Sequence, residues 1–366
     1  MFKELLARAE AQMPVSVMAR VALQWAIKPA WVDEVFEAHR QRQYPRELLF
    51  STVVELVSLV SLGLRPSLHA AARKAEGLPV SLAALYDKVR RTEPQILRAL
   101  VSGSAERLAP LVQALQPQLA ASLPGWRLRV LDGNHLPASD KRLAVLRDQR
   151  GAALPGQTLV VYDPDTTLVT DIVACEDAHA SERSVAAPLL ECAKAGECWI
   201  ADRHFCTRSL MQGWHDAKAA FIVREHARHP HLLRESRWRA CGRVETGAVF
   251  EQWIWVDEEQ PPWRRIELRL ERPSESGETE IRLWSNLPRT VSAQKIAELY
   301  RKRWRIEGMF QRLELVLQSE LRTLGHPRAA LLGFAVAVLA YNVLSVLKRS
   351  IEQAHRDSAP ALDVST

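Results

Sequence analysis

The sequence predicts an α/β protein in which a helical N-terminal part precedes a core of alternating strands and helices. The first observation is that residues 1–120 have a helical pattern with few strand signals. The second is the succession strand, hairpin, helix, strand, helix, strand over residues 126–225. The third is a tryptophan- and arginine-rich β pattern over residues 226–288, followed by a basic amphipathic helix. Together they predict a sheet surrounded by helices.

Composition is typical of a globular protein in a reducing compartment. Of the 366 residues, 47% are hydrophobic and 25% are charged, which is enough apolar material for a core. The 5 cysteines include no CxxC pair, so neither a disulfide scaffold nor a structural zinc site is expected. The first residues are charged and lack a secretory apolar segment, so a cytoplasmic location is expected. The net charge of +6 favours a polyanionic partner.

Residues 1–120 are expected to form a helical N-terminal domain. An apolar helix over residues 46–62 is followed by two short helices over residues 67–76 and 81–91. This corner has the pattern of a helix-turn-helix that binds DNA, and a plain helical bundle is the alternative. The prolines from Pro110 to Pro124 predict the boundary with the next unit.

Two aspartates follow predicted core strands. Asp132 comes after a strand over residues 126–131, and Asp202 comes after a strand over residues 197–201. Between these strands a hairpin and a helix over residues 182–194 are expected. An acid at the C-terminal end of a strand places its carboxylate at the sheet edge where ligands bind. Taken alone, Asp132 is more simply explained as a turn residue.

Residues 289–350 are expected to contain one amphipathic helix over residues 300–314. Tyr300, Arg303 and Glu307 are spaced three and four residues apart, which places them on one face of that helix. An acid on an arginine-lined face is suited to chemistry beside a polyanion. A solvated helix with ion pairs explains the helix equally well by itself. The polar residues 351–366 predict a disordered tail.

Three carboxylates, those of Asp132, Asp202 and Glu307, are therefore expected to converge. Three such charges repel one another unless a cation lies between them. Ligation by oxygen alone suits Mg²⁺ or Mn²⁺ rather than zinc. Two such ions about 4 Å apart activate a water molecule and stabilise the leaving oxygen in a phosphodiester displacement. Chemistry on a nucleic acid is the expected function.

These motifs resemble, in order along the chain, those of the DDE transposases of bacterial insertion sequences, in particular the insertion-sequence-four family. The similar stretch covers residues 126–348, from the strand with Asp132-Gly133 to the closing apolar helices. The motifs are Asp132-Gly133, Ala201-Asp202-Arg203-x-Phe205, the β insertion, and Tyr300-x₂-Arg303-x₃-Glu307. The last of these corresponds to the family's Y-R-E-K signature.

The resemblance implies an RNase H-like core formed by residues 126–225 and 289–350, with a β-rich insertion over residues 226–288. It implies that Asp132, Asp202 and Glu307 are catalytic and bind two Mg²⁺ ions, for which Mn²⁺ can substitute. It implies that Tyr300 and Arg303 contact the transposon end near the scissile phosphate.

The activity that the resemblance implies is cut-and-paste cleavage and strand transfer of DNA. The implied partners are double-stranded DNA, as element ends and as target, and a second copy of the chain in the paired-end complex. No membrane partner is expected, because the apolar run from Leu331 to Leu347 is interrupted by polar residues and is better explained as a buried helix.

The sequence departs from the family's pattern at a few positions. Glu314 stands where the signature has lysine, and Arg312 is the basic residue that could replace it in binding DNA. Asn134 and His204 stand where the family has a small hydroxyl residue and glycine. Two alternatives therefore stay open. One is an RNase H-like nuclease without strand transfer, and the other is a catalytically impaired remnant that only binds DNA.

Overall fold

The computed structural model describes residues 24, 28–43, 47–75, 77–115, 120–136, 156–177, 180–274, 277–319 and 326–354. A 3₁₀ helix covers Arg203–Phe205. The helices are α1 Pro29–His39, α2 Phe50–Ser61, α3 Leu68–Lys74, α4 Leu82–Arg91, α5 Pro94–Leu115, α6 Glu182–Val185, α7 Ala187–Cys192, α8 Arg208–Asp216, α9 Ala293–Arg301, α10 Trp304–Leu315 and α11 Pro327–Ala354. The strands are β1 Arg127–His135, β2 Gln157–Asp163, β3 Leu168–Cys175, β4 Glu197–Ala201, β5 Ala220–Arg224, β6 Arg234–Glu235, β7 Arg239–Val244, β8 Gly247–Trp255, β9 Trp263–Leu270 and β10 Glu280–Ser285.

Side-chain caps begin helices where the sequence indicates. The Ser81 hydroxyl accepts a hydrogen bond from the Ala84 amide, and the Ser292 hydroxyl accepts one from the Lys295 amide. Pro110, the first of the prolines predicted to mark the boundary, lies inside α5, which continues to Leu115. An internal proline costs a helix about 3 kcal/mol, and burial of Leu108 and Val112 on either side offsets that cost. The prolines beyond Pro110 include Pro117, which lies outside the described residues.

A mixed sheet of ten strands connects the described parts of the chain. Its order is β3-β2-β1-β4-β5-β10-β9-β8-β6, and β7 pairs with β8. Strands β1, β4 and β5 are parallel to one another, whereas the other pairs are antiparallel. The β-rich segment predicted as an insertion extends this sheet, because β10 pairs along β5 from Leu283–Arg224 to Ser285–Ile222. The segment and the core thus share one hydrogen-bonded framework.

Strand β1 was predicted to end at Leu131, but it continues through Asp132 to His135. The parallel pairing with β4 stops at Leu131, opposite Ala201, whereas the antiparallel pairing with β2 continues as far as His135. The hairpin partner keeps the backbone extended after the parallel neighbour has ended. The single helix predicted over residues 182–194 is two short helices, because α6 ends at Val185 and α7 begins at Ala187. Pro188 lies in the first turn of α7, where its missing N–H costs no helical hydrogen bond.

The sheet is covered on both faces, as its alternating side chains require. Residues such as Leu128 and Val130 point into one core, which also contains apolar residues of α1–α5 and α9–α11. Leu131 and its neighbours point into the other, which contains residues of α7 and α8. Trp263 and Trp284 are fully buried there, whereas Trp238, Trp253 and Trp255 of the same β-rich segment are only partly buried. The catalytic candidates therefore lie on a framework fixed from both sides.

Helix α11 is, in the part of the chain that the structure describes, the one helix long and apolar enough to cross a membrane. Of its most apolar window, 83% is buried inside the protein. This burial agrees with the expected core helix. The helix extends through residues 351–354, which were expected to begin the tail, and residues 355–366 lie outside the described residues.

Asn342, which interrupts the apolar face of α11, holds the edge of the sheet. Its amide nitrogen donates to the Val169 carbonyl at 2.9 Å, and its carbonyl accepts from the Val169 amide at 2.8 Å. We expect Asn342→Leu to lower the free energy of unfolding by about 2–4 kcal/mol, because two buried backbone groups lose their partners. Urea denaturation measures this loss. Ser350→Ala, which removes a bond within α11 to the Val346 carbonyl, is the control, and equal losses from both variants would contradict the assignment.

Candidate active site

Asp132 and Asp202 lie beside each other at one edge of the sheet. Asp132 follows directly after the last β1–β4 pair, Leu131–Ala201, and Asp202 follows directly after β4 and precedes the 3₁₀ helix. Because β1 and β4 are parallel neighbours, the chain leaves this pairing at the same level on both strands. The two aspartates therefore follow the same end of the β1–β4 pairing.

Burial dominates the electrostatics of Asp132. The pKa of this carboxyl is raised to about 6, chiefly by burial and to a smaller extent by the negative charges of Asp202 and Glu182. The Arg303 guanidinium and the Gly133 amide, which donates to Oδ1 at 3.0 Å, oppose this shift. Burial therefore favours the protonated form of Asp132, and a positive charge beside it favours the ionised form.

The helix predicted over residues 300–314 is two helices in the structure. Helix α9 ends at Arg301, and α10 begins at Trp304. At the junction the Arg303 amide donates to the Tyr300 carbonyl at 3.0 Å, and the Ile306 amide donates to the Arg303 carbonyl at 3.0 Å. These i to i−3 bonds make a tighter turn, which brings Tyr300, Arg303 and Ile306 to the buried side.

Arg303 joins two of the three acids. Its Nη1 donates to Asp132 Oδ2 at 2.9 Å, and its Nη2 donates to Glu307 Oε1 at 2.8 Å. The Arg303 side chain is only 10% exposed, whereas that of Glu307 is 52% exposed. The guanidinium thus supplies the positive charge that the neighbouring carboxylates need. The Arg303 side chain thus connects strand β1 to the start of α10, although Asp132 and Arg303 are 171 residues apart in the sequence.

Several buried polar atoms near these acids have no hydrogen-bond partner among the described residues. They are Asp202 Oδ1, Tyr300 Oη and Arg303 Nε. Burial raises the pKa of Tyr300 well above its ordinary value, so its hydroxyl stays protonated and can donate. Buried polar groups are normally paired, and three unpaired groups around one cluster indicate a place where a polar ligand binds.

The sequence analysis missed Glu182. Its carboxylate lies against Gly133, where a Cβ atom would come within 2.0 Å of Glu182 Oε1. Its other oxygen, Oε2, lies 3.8 Å from His204 Nδ1. The signal in the sequence was Gly133 itself, because a glycine inside a strand marks the close approach of another group. Glu182 is the first residue of α6, so only the tertiary packing of that helix brings it to Asp132.

The family model of the transposase DDE domain matches residues 127–343, which is more than half of the chain. All of the site residues described above lie within that range. The chain belongs to the DDE transposase family. Family membership makes this protein a DNA transposase, and a DDE domain implies the use of a divalent metal ion.

Relatives of the transposase come from Escherichia coli. The putative transposase InsL for insertion sequence element IS186A of strain K12 is 26% identical over 288 residues, which cover 67% of this chain and 72% of the relative. The transposase for insertion sequence element IS421 has the same identity and coverage. A solved structure of piggyBac transposase, in a synaptic complex with hairpin DNA, aligns with 95% of this chain and with 77% of the piggyBac chain. The sequence identity is 10% and the TM-score is 0.42.

The donor set of the transposase suits a divalent cation by its chemistry. Asp132, Asp202 and Glu307 offer only carboxylate oxygens, and Asp202 Oδ1 is buried without a partner among the described residues. Their spacing is wider than a metal site requires, since no three acidic, histidine or cysteine side chains of the described residues could together hold a metal ion. Arg303 lies between Asp132 and Glu307 and accounts for part of this separation.

The remaining candidate residues of the transposase lie apart from this cluster. Arg312 is exposed on α10. Among the described residues it forms no hydrogen bond or ion pair with Asp132, Asp202 or Glu307. Glu314, at the position of the signature lysine, is also exposed. A role for Arg312 in binding DNA therefore stays a prediction.

Proposed function

We propose that this transposase carries out cut-and-paste transposition of a bacterial insertion sequence of the insertion-sequence-four type, on an RNase H-like core formed by residues 126–225 and 289–350. The observation that carries the proposal is the Arg303 bridge between Asp132 and Glu307, beside Asp202. It joins an acid of β1 to an acid of α10, next to the acid that follows β4. The strand order β3-β2-β1-β4-β5, with β1, β4 and β5 parallel, supports the assignment of the core.

Asp132, Asp202 and Glu307 would hold Mg²⁺, for which Mn²⁺ can substitute. When bound, such ions supply the activation of a water molecule and the stabilisation of the leaving oxygen. The unpaired Asp202 Oδ1 is an acceptor already in place for a cation. Half of the Glu307 side chain is exposed, so this carboxylate can reorient towards the two aspartates.

Tyr300 and Arg303 would bind the DNA backbone at the cleavage point. The buried Tyr300 hydroxyl and the Arg303 Nε have no partners among the described residues, and both are donors suited to a phosphate oxygen. Positioning of this kind supplies much of the catalysis in phosphoryl transfer. Water attacks the phosphodiester at the element end and frees a 3′-hydroxyl. That hydroxyl attacks the second strand, which releases the flanking DNA and closes the element end as a hairpin. A second water molecule opens the hairpin and frees the 3′-hydroxyl again, and this hydroxyl then attacks a phosphodiester of the target DNA and displaces a target 3′-oxygen.

The wider proposal concerns partners. Double-stranded DNA would bind through the exposed Arg312 and through the basic helices of the N-terminal domain, residues 1–120, where α4 ends in Lys88, Arg90 and Arg91. Each neutralised phosphate releases counterions, so affinity should fall steeply with salt. The paired-end complex would be a homodimer, because two element ends must be held together. The reaction would take place in the bacterial cytoplasm.

The decisive experiment is a nicking and strand-transfer assay with a labelled duplex of one element end, a plasmid target and Mg²⁺ or Mn²⁺. We expect wild-type protein to nick at the repeat boundary and to join the end to the plasmid. Glu307→Gln should do neither. Glu298→Gln is the matched control, because its side chain on α9 is also 52% exposed and lies outside the cluster.

The same assay separates the two alternatives. Hydrolysis of the end without joining to the plasmid would identify a nuclease of RNase H type. Binding without nicking by the wild-type protein would identify an impaired remnant. In that case Glu314→Lys, which restores the signature residue, tests whether the exposed acid on α10 is the cause.

A further inference from the structure

Helix α6 brings a fourth acid, Glu182, between the segments that carry the two strand-end aspartates. Its Oε1 lies against Gly133, the residue after Asp132, where a Cβ atom would come within 2.0 Å of it. Its Oε2 lies 3.8 Å from Nδ1 of His204, two residues after Asp202. Glu182 therefore faces both β1 and the 3₁₀ helix that follows β4, at a place where no motif of the sequence put an acid.

Hydrogen bonds hold α6 in this position. The Arg183 Nε donates to the His204 carbonyl at 2.5 Å, which ties the helix to the segment after β4. The side-chain amide of Gln157, on β2, donates to the Ala180 carbonyl just before the helix. These contacts lie on either side of Glu182 in the sequence. They set its side chain in place before any ligand binds, which lowers the entropic cost of binding.

The Glu182 carboxylate lacks an adequate partner among the described residues. Its side chain is only 21% exposed, and no described group donates a hydrogen bond to it. The 3.8 Å to His204 is longer than a hydrogen bond, and the His204 side chain is 59% exposed, so solvent screens this pair. Carboxylates with so little exposure are normally paired or bound to a metal ion. Glu182 is therefore available to a cationic ligand.

Glu182 acts on Asp132 directly, whereas Glu307 does so through Arg303. The negative charges of Glu182 and Asp202 both contribute to the raised pKa of Asp132. Between Asp132 and Glu307, by contrast, the Arg303 guanidinium donates a hydrogen bond to each carboxylate. Like charges at short range repel one another unless a cation lies among them. The fold thus brings Glu182 to Asp132 at an electrostatic cost that a cation would remove.

Two buried groups beside these acids independently indicate a polar ligand. The Tyr300 side chain is 5% exposed, its hydroxyl has no hydrogen-bond partner among the described residues, and the charge of Asp202 acts on it. Asp202 Oδ1 is also buried and unpaired within the described part of the chain. An unpaired carboxylate oxygen suits a divalent cation, and an unpaired hydroxyl suits an oxygen held beside that cation.

We propose that Glu182 is a fourth carboxylate of the cation site and contributes to binding the divalent ion held by Asp132 and Asp202. This inference rests on the proposed function for the presence of the ion. Arg303 offsets part of the negative charge of Asp132 and Glu307. Glu182 supplies a further negative charge to balance the bound cations.

The test is the binding of Mn²⁺ to DNA-free protein, followed by the loss of the electron paramagnetic resonance signal of free Mn²⁺. We expect Glu182→Gln to bind Mn²⁺ at least about tenfold more weakly than wild type, since the loss of groups that merely support a metal ligand already costs 10–100-fold. Glu191→Gln is the matched control, because this acid is exposed on the neighbouring helix α7. Its affinity should stay within about twofold of wild type.

Gly133→Ala displaces the carboxylate without removing it. The new Cβ would overlap Glu182 Oε1, which is the end of a flexible side chain and can turn away. Gly133 lies within β1 and not in the left-handed region, so alanine fits its backbone. We expect Gly133→Ala to weaken Mn²⁺ binding when Glu182 is present and to have no effect in Glu182→Ala, where the space is free. This dependence isolates the contribution of the carboxylate.

His204→Ala separates cation binding from a structural contact. If Glu182 served only to hold the segment after β4, removing the imidazole should weaken Mn²⁺ binding as much as Glu182→Gln does. We expect this variant to bind Mn²⁺ at least as tightly as wild type. The melting temperature of Glu182→Gln in EDTA is a second readout. It should equal or exceed that of wild type, because the change removes a like charge beside Asp132, whereas loss of a structural contact would lower it.

The proposal is overturned if Glu182→Gln binds Mn²⁺ as tightly as Glu191→Gln does. It is also overturned if Gly133→Ala weakens binding equally with and without Glu182, or if His204→Ala reproduces the loss. Each of these results leaves the proposed function standing, because nicking by wild-type protein and its loss in Glu307→Gln are measured separately. A wild-type protein that binds no Mn²⁺ and does not nick would contradict the proposed cation site as a whole.

Discussion

Asp202→Asn is expected to reduce metal-dependent nicking of the element end by more than about 100-fold, since the loss of groups that merely support a metal ligand already costs 10–100-fold. Asparagine has the shape of aspartate, so the 3₁₀ helix that follows Asp202 should be unaffected. The change removes the negative charge next to Asp132 while leaving the buried position of the side chain. The rate of nicking under single-turnover conditions measures the effect.

Asp216→Asn is the control for this prediction. Asp216 is exposed at the end of α8, and its carboxylate accepts a hydrogen bond from Gln212 at 2.7 Å, outside the acidic cluster. Its replacement should leave the rate within about twofold, as is usual for surface changes worth less than 0.5 kcal/mol. If Asp202→Asn nicked at the rate of Asp216→Asn, Asp202 would have no part in catalysis.

Arg303→Ala is expected to destabilise the protein in EDTA by about 2–4 kcal/mol. Breaking a fully buried ion pair costs about 3–5 kcal/mol, and the expected value is lower here because Glu307 is half-exposed. Without the guanidinium, the carboxylates of Asp132, Asp202 and Glu307 repel one another with no positive charge between them. A divalent cation should relieve that repulsion, so Mg²⁺ should raise the melting temperature of the variant more than that of wild type.

Arg301→Ala is the matched control, since it lies two residues earlier at the end of α9. Its guanidinium pairs at 2.9 Å with Glu245, whose side chain is 82% exposed. Exposed pairs contribute about 0–1 kcal/mol, so this variant should melt close to wild type. Equal melting temperatures for the two variants in EDTA, or an equal gain from Mg²⁺, would show that Arg303 does not balance the charge of the cluster.

The elements with strong local signals were predicted well. The strand of residues 197–201 was placed at its observed ends, since a short apolar run between turns leaves little choice. The caps at Ser81 and Ser292 are local interactions of this kind, because each hydroxyl accepts a hydrogen bond from an amide of the first turn. Pro110 was included among the boundary prolines but lies inside α5, because that helix is maintained by packing against the core rather than by local preference.

The sequence by itself determined the candidate acids and the succession of strands and helices along the core. The spacing of Tyr300, Arg303 and Glu307 also indicated the family of the protein. Those features depend on residue types and intervals along the chain. Only the tertiary structure decided that Arg303 bridges Asp132 and Glu307, that Glu182 lies against Gly133, and that the β-rich segment extends the core sheet. Each of these depends on how distant segments pack together, and no local pattern specifies contacts between side chains far apart in sequence.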